Sequence, residues 1–271
     1  MRSKRRSTEL FLGRCSAGAL LVLAVSVSPV RACGLGPQFA AGPPAAPATS
    51  ATARLEWSCM AAPTDTGATR LRGRAGRFGA ARAGGTHAGA DITLREYGRM
   101  CVSSTAGLAP RALEVYAVAD GVVAYSRANT AASCPANRPG CDLFSTGLGF
   151  TVIIDHGDGI YSLYAHLAQD RASARCLPPA MVEGGALQKV RLGQRVKAGQ
   201  VIGYLGGAGA DLSKYERPSG NALTQEESVQ LHFEFFQASA GRQSTSSIGA
   251  IVPQSGRGKI DPTGFLSRFY R

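Results

Sequence analysis

Four histidines stand in a chain of 271 residues, and three of them have neighbours suited to chemistry. His87 precedes Asp91 by four positions in His87-Ala88-Gly89-Ala90-Asp91. Residues at i and i+4 point the same way on a strand or on a helix. Neutral imidazole and carboxylate are both good zinc ligands. His232 lies in Val229-Gln230-Leu231-His232-Phe233-Glu234-Phe235-Phe236. Strand alternation puts Leu231, Phe233 and Phe235 on one face and Gln230, His232 and Glu234 on the other. A histidine on that polar face is either a plain surface residue or a third ligand reaching into a site. His166 closes the run Leu163-Tyr164-Ala165-His166-Leu167, where a side chain can reach over a sheet. His156 stands in a Gly-rich turn and reads as a turn residue.

Short β-rich runs broken by turn signals must position these side chains. With 34 Gly, 14 Pro and weak helical periodicity, the composition favours many turns over a helix bundle. Glu114–Ala119, Asp120-Gly121 and Val122–Tyr125 read as a hairpin with an Asp-Gly turn. Phe150–Ile154, the turn Asp155-His156-Gly157-Asp158-Gly159 and Ile160–His166 read as a second hairpin. Further strands are expected at Val201–Leu205, after the turn Lys197-Ala198-Gly199-Gln200, and at Val229–Phe236. The expected fold is all-β and mostly antiparallel, a sandwich-like sheet core. Long loops at 127–148 and 206–228 would border a groove.

The formal charge of +12 invites a polyanion partner, but part of it sits in an N-terminal segment of different character. Arg2, Lys4, Arg5, Arg6 and Arg14 precede an apolar run from Ala17 to Val30, then Val30-Arg31-Ala32 and Cys33. This pattern reads as a secretory signal over residues 1–32, the run being short for a transmembrane helix. Its removal would take away six basic residues and one acid and leave +7. Val30-Arg31-Ala32-Cys33 also resembles a lipobox, in which Arg31 is a poor fit; a membrane role would follow only from lipidation of Cys33. The expected location is the periplasm or cell envelope, or outside the cell. Six cysteines would remain (Cys33, Cys59, Cys101, Cys134, Cys141 and Cys176), which suggests disulfides in an exported chain. Cys134 and Cys141 flank a turn-rich segment and are the first pair to expect. Residues 33–83 read as a flexible linker and a lead-in segment, and 84–271 as the folded domain. Arg70, Arg72, Arg74, Arg77 and Arg82 in the lead-in are spaced by small residues and read as a solvated, loop-like stretch. Phe78 alone falls among these arginines, too little aromatic surface for base stacking, which argues against nucleic acid as a partner.

Six motifs then occur in a fixed order: His87-x-Gly-x-Asp91, Val115–Val123, Ile154-Asp155-His156-Gly157, Tyr164-Ala165-His166-Leu167, Val196–Gly203 and Leu231-His232-Phe233-Glu234. Together with Ile260-Asp261-Pro262 they resemble the M23 zinc metallopeptidases, the lysostaphin-like peptidoglycan endopeptidases, over about residues 84–266. The resemblance implies that His87, Asp91 and His232 hold one Zn²⁺ per chain with a fourth position open. It implies that His166 is a catalytic histidine that takes a proton from water or stabilises the oxyanion. Glu234 would be an acceptor for a ligand imidazole or a solvated strand charge. The family's last motif usually reads His-x-His, and Gln230 occupies the first of those positions. A Gln amide can donate to an oxyanion but cannot relay a proton at neutral pH.

The resemblance implies an exported zinc endopeptidase acting on peptidoglycan peptides, with the anionic cell wall as a surface suited to the positive charge. Gln230 supports the alternative, a catalytically impaired relative that binds the wall or regulates another hydrolase. Val196–Gly203 also resembles lipoyl and biotinyl carrier hairpins, but Lys197 is not placed at the tip between flanking strands.

Overall fold

A computed structural model describes residues 60–82, 85–95, 110–128, 148–169, 181, 187–207, 229–245, 247–253 and 258–270. The 1–32 segment, the linker to residue 59, all seven cysteines and most of both long loops lie outside the described residues. Among the described residues no helix is long and apolar enough to cross a membrane.

The fold is all-β. Twelve strands are described: β1 (Thr69–Leu71), β2 (Ala81–Arg82), β3 (Gly85–Thr86), β4 (Ala90–Leu94), β5 (Glu114–Tyr116), β6 (Gly121–Ala128), β7 (Phe150–Asp155), β8 (Ile160–Leu167), β9 (Arg195–Val196), β10 (Val201–Tyr204), β11 (Gln230–Gln237) and β12 (Lys259–Ile260). The main sheet runs β1-β4-β11-β8-β7-β6-β9, with β12 added along β11. Separate pairs are β5 with β10 and β2 with β3. Every pairing is antiparallel.

The alternation expected for β11 is realised, and both of its faces are buried. Leu231, Phe233 and Phe235 join Ile92, Leu94, Val152, Ile154 and Tyr164 in a large apolar cluster. Val115, Ile202 and Tyr204 of the β5–β10 pair and Phe265 of the short helix Thr263–Leu266 close that layer. Phe236 packs on the opposite face with Tyr125, Ile153, Tyr161, Leu163 and Ala165, under Ile248, Ile251 and Val252. His232, Gln230 and Glu234 share this second face.

β7 and β8 form the hairpin expected from the sequence. The Asp120-Gly121 turn does not make a hairpin. β5 pairs with β10, whereas β6 pairs with β7 and β9. The Asp120 carboxylate instead accepts from the Ala198 amide at 2.9 Å and from Lys197 Nζ at 2.7 Å. The chain therefore passes from one sheet to the other at this point. β9 and β10 likewise pair with different partners, so the stretch around Lys197 is not a carrier-type hairpin.

The lead-in segment also contributes to the sheet. β1 pairs with β4 from Thr69↔Leu94 to Leu71↔Ile92, and the Thr64 hydroxyl bonds Thr69 and the Tyr270 hydroxyl at 2.7 Å each. His156 is fully enclosed. Its Nδ1 donates to the Asp120 carbonyl at 2.8 Å, and its Nε2 meets Ser162 Oγ at 2.7 Å. Burial pushes its pKa down, and it serves as a neutral structural tie between turn and strand.

Candidate metal centre

Cross-strand register brings two of the predicted ligands together. His232 of β11 is directly opposite Asp91 of β4, so both side chains leave the sheet on one face. His87 precedes β4, and its backbone is tied to the preceding turn by His87 N–H to Ala80 O and Gly79 N–H to His87 O, both at 2.8 Å. Gly89 lets this segment lie against β11. A Cβ there would stand 2.3 Å from the Phe233 carbonyl oxygen and 2.7 Å from Glu234 Cγ.

The donor atoms converge. His87 Nε2 lies 2.9 Å from His232 Nδ1, and each lies 3.2 Å from Asp91 Oδ1. Ligands held 2.0–2.1 Å from a tetrahedral zinc are separated by roughly 3.3 Å, so this spread suits that ion. The outer hydrogen bonds fix which nitrogens face inward. His87 Nδ1 stands 2.9 Å from the Arg77 carbonyl, which can only accept, so Nδ1 carries the proton and Nε2 presents its lone pair. His232 Nε2 stands 2.8 Å from Glu234 Oε1 and donates to it, leaving Nδ1 to face Asp91 and His87. Two lone pairs and a carboxylate oxygen thus aim at one point, an arrangement that calls for a cation or a proton.

In the absence of metal that cation is a proton. Burial opposes charge on His232, but hydrogen bonds and charge from Asp91 and Glu234 outweigh it and push the imidazole up to about 9. Burial likewise opposes charge on Asp91, yet its hydrogen bonds to His232 and His87 hold it well below the usual carboxylate range. Glu234 is 0 % exposed. Despite that burial, its contacts with His232 and Lys259 depress it to about 2. Glu234 is therefore no solvated strand charge. It is the buried acceptor that orients the His232 imidazole, and Lys259 of β12 ion-pairs with its other oxygen.

A metal ion entering this cluster would have to displace the proton on His232 Nδ1. Apparent zinc affinity is expected to rise ~tenfold per pH unit from neutrality towards pH 9, with about one proton released per ion. Titration calorimetry in buffers of different ionisation enthalpy measures this, and a pH-independent affinity would count against the arrangement.

His166 reaches the same face through an irregularity in β8. Phe150↔Leu167 and Val152↔Tyr164 are successive pairs two residues apart on β7 but three apart on β8, so β8 carries one extra residue. His166 absorbs it with φ 61°, a left-handed conformation uncommon outside glycine. Its ring stands edge-on to His232 with centroids 6.1 Å apart. Gln230, opposite Thr93 on β4, points to the same side and is 6 % exposed. Its Oε1 accepts from Arg72 Nη1 at 2.6 Å.

Arg72 is the residue sequence reading passed over. It belongs to an arginine run that reads as solvated, yet it follows β1 directly and its backbone N–H donates to the Asp91 carbonyl at 2.8 Å. The spacing of Arg70, Arg72 and Arg74 carries no signal of this, since only Arg70 of the three lies in a strand and Arg74 opens a 3-10 turn.

No family model matches the chain, and no curated protein matches it. Solved structures similar to it include the antimicrobial peptidase lysostaphin from Staphylococcus simulans (18% identity, 76% of this chain and 53% of that one, TM-score 0.38). Another is the catalytic domain of the prophage-encoded M23 protein EnpA from Enterococcus faecalis (18% identity, 67% and 91%, TM-score 0.35). A third is a complex of SpoIIIAH and SpoIIQ (15% identity, 76% and 99%, TM-score 0.40). The chain spans about half the length of the lysostaphin chain.

Proposed function

We propose that this chain is an exported, zinc-dependent endopeptidase of the M23 type that hydrolyses peptide bonds of bacterial peptidoglycan. The observation that carries the reading is the convergence of His87 Nε2, Asp91 Oδ1 and His232 Nδ1 with both imidazoles held in the ligating tautomer. The ordered motifs from His87 to Asp261 supply the substrate class, and the segment before Cys33 supplies export to the periplasm or cell envelope.

Bound zinc supplies a Lewis acid that lowers the pKa of water and polarises the scissile carbonyl. His87, Asp91 and His232 would hold it, and Glu234 keeps the His232 ring in register. His166, set on its bulge beside His232, is the proton carrier: it takes a proton from the attacking water and returns it to the departing amine nitrogen. Gln230 offers its NH₂ group to the oxygen that becomes negative as the carbonyl carbon turns tetrahedral.

Release of peptides from purified peptidoglycan, with and without a zinc chelator, tests the reading. His166→Ala should keep its zinc and lose ~10²–10⁴-fold in turnover, the usual range for a general acid–base group. Loss of the metal in that variant would show that His166 has been given the wrong role. Gln230 favours one second reading, a relative with impaired turnover that binds the wall or regulates another hydrolase. Wall binding without peptide release, unchanged on substitution of a zinc ligand, would select it.

A further inference from the structure

The side chain that replaces the family's usual histidine has one polar partner among the described residues, and that partner fixes its orientation. A guanidinium has five donors and no acceptor, so the Gln230 oxygen must face Arg72 and its NH₂ must face away. Thr93, directly across the strands, leaves its buried hydroxyl unbonded rather than meeting the amide. The backbone and the start of the Arg72 side chain are held from behind. Arg72 N–H is bonded to the Asp91 carbonyl, and the Arg72 stem packs on Gly76, where a Cβ would come within 2.5 Å of Arg72 Cβ and 3.1 Å of Asp91 Cβ. Arg72, one residue past the end of β1, meets Asp91 of β4, which lies opposite His232 of β11, and Gln230 lies two register positions further along β11, opposite Thr93.

We propose that Arg72 is a positioning residue that makes Gln230 a fixed hydrogen-bond donor, so that this site works with one proton carrier and one electrophile in place of two histidines. This rests on the endopeptidase reading. The water oxygen bonds to the carbonyl carbon, and the C–N bond breaks. His166 carries the single proton from water to the amine nitrogen. Gln230 neither takes nor gives a proton; it donates a hydrogen bond to the carbonyl oxygen while that oxygen carries negative charge. Arg72 acts through it, by preventing the amide from turning its oxygen towards that charge.

The same geometry sets position 230 against proton chemistry. An imidazole placed there would spend a ring-nitrogen lone pair on the guanidinium, as the Gln230 oxygen does now. Restoring the histidine is therefore insufficient while Arg72 remains.

The test uses the zinc-loaded, ¹⁵N-labelled full chain. The Gln230 side-chain NH₂ pair, identified by its loss in Gln230→Glu, should be dispersed from free glutamine shifts. It should collapse towards them in Arg72→Met and recover in part in Arg72→Lys, with backbone shifts of β4 and β11 and zinc content preserved. In turnover, Arg72→Met should lower kcat on the order of tenfold with KM little changed, because the donor is loosened rather than removed. Gln230→His alone should not raise kcat, whereas Gln230→His with Arg72→Met should exceed it about tenfold or more. An unchanged NH₂ pair in Arg72→Met overturns the lock. A rise in kcat with Gln230→His alone, equal to that of the double variant, overturns its catalytic consequence while leaving the endopeptidase reading intact. A wild-type protein that releases no peptide overturns the endopeptidase reading, and the NH₂ measurement still decides the lock.

Discussion

His87→Ala should bind essentially no zinc and should lose on the order of 10³ or more in peptidoglycan hydrolysis, since metal polarisation is worth several kcal/mol of barrier. His87 is the cleanest ligand to remove. Its remaining side-chain hydrogen bond runs to the Arg77 carbonyl, in a part-buried position. Removing His232 would also strip Glu234 of a partner in a fully buried site. Bound zinc should stabilise the wild type by about 4 kcal/mol at a thousandfold excess over Kd. A chelator should therefore lower Tm in the wild type and leave the Tm of His87→Ala where it stands. Metal analysis of the two proteins, with Tm measured before and after chelation, checks both statements. Full zinc occupancy in His87→Ala would remove His87 from the ligand set.

Two features of this site were readable from residue types and spacing because they depend on local sequence pattern. The β11 alternation placed Gln230, His232 and Glu234 on one face. The β7–β8 hairpin followed from its Gly-rich turn. What was not readable depends on partners far away in sequence. Asp120-Gly121 carries a hairpin turn signal, but Ala198 and Lys197 claim the Asp120 carboxylate and the flanking strands find other neighbours. Turn chemistry sets a preference, and strand pairing across the sheet decides the outcome. The bulge at His166 is likewise invisible in Tyr-Ala-His-Leu, because it is defined only by the count of residues opposite on β7. Arg72 was missed for a related reason. Its guanidinium acquires meaning only when β1 and β11 flank β4, 158 positions apart in sequence.

The C-terminal residues supply the second large effect. β12 pairs with the end of β11 at Phe235↔Ile260 and Phe236↔Lys259, which sets Lys259 beside Glu234. Glu234 has no exposure to solvent, and its two oxygens are met by His232 and Lys259. A buried carboxylate that loses one such partner leaves an uncompensated charge and costs about 3–5 kcal/mol. Lys259→Met keeps an unbranched apolar side chain and removes the ammonium, whose Nζ also stands 5.2 Å from the centre of the Phe236 ring. It should therefore lower stability by about that amount in chemical unfolding, and weaken zinc binding ~10–100-fold through the loosened His232 ring. Glu234 sits at about 2, below its ordinary 4.5. Its stabilising contribution is then full above pH 4.5 and disappears as the pH falls through 2. Lys259→Met should move that acid transition to higher pH, because the cation that helps to hold the carboxylate ionised is gone. Replacing both members, Lys259→Met with Glu234→Gln, should recover much of the lost stability, since the carboxylate left without its cation in the single variant is then gone. It should not recover the zinc affinity, because a neutral amide is a weaker acceptor for His232 Nε2–H than a carboxylate. Recovery of both properties in the double variant would mean that the pair serves packing alone and has no part in orienting the ligand imidazole.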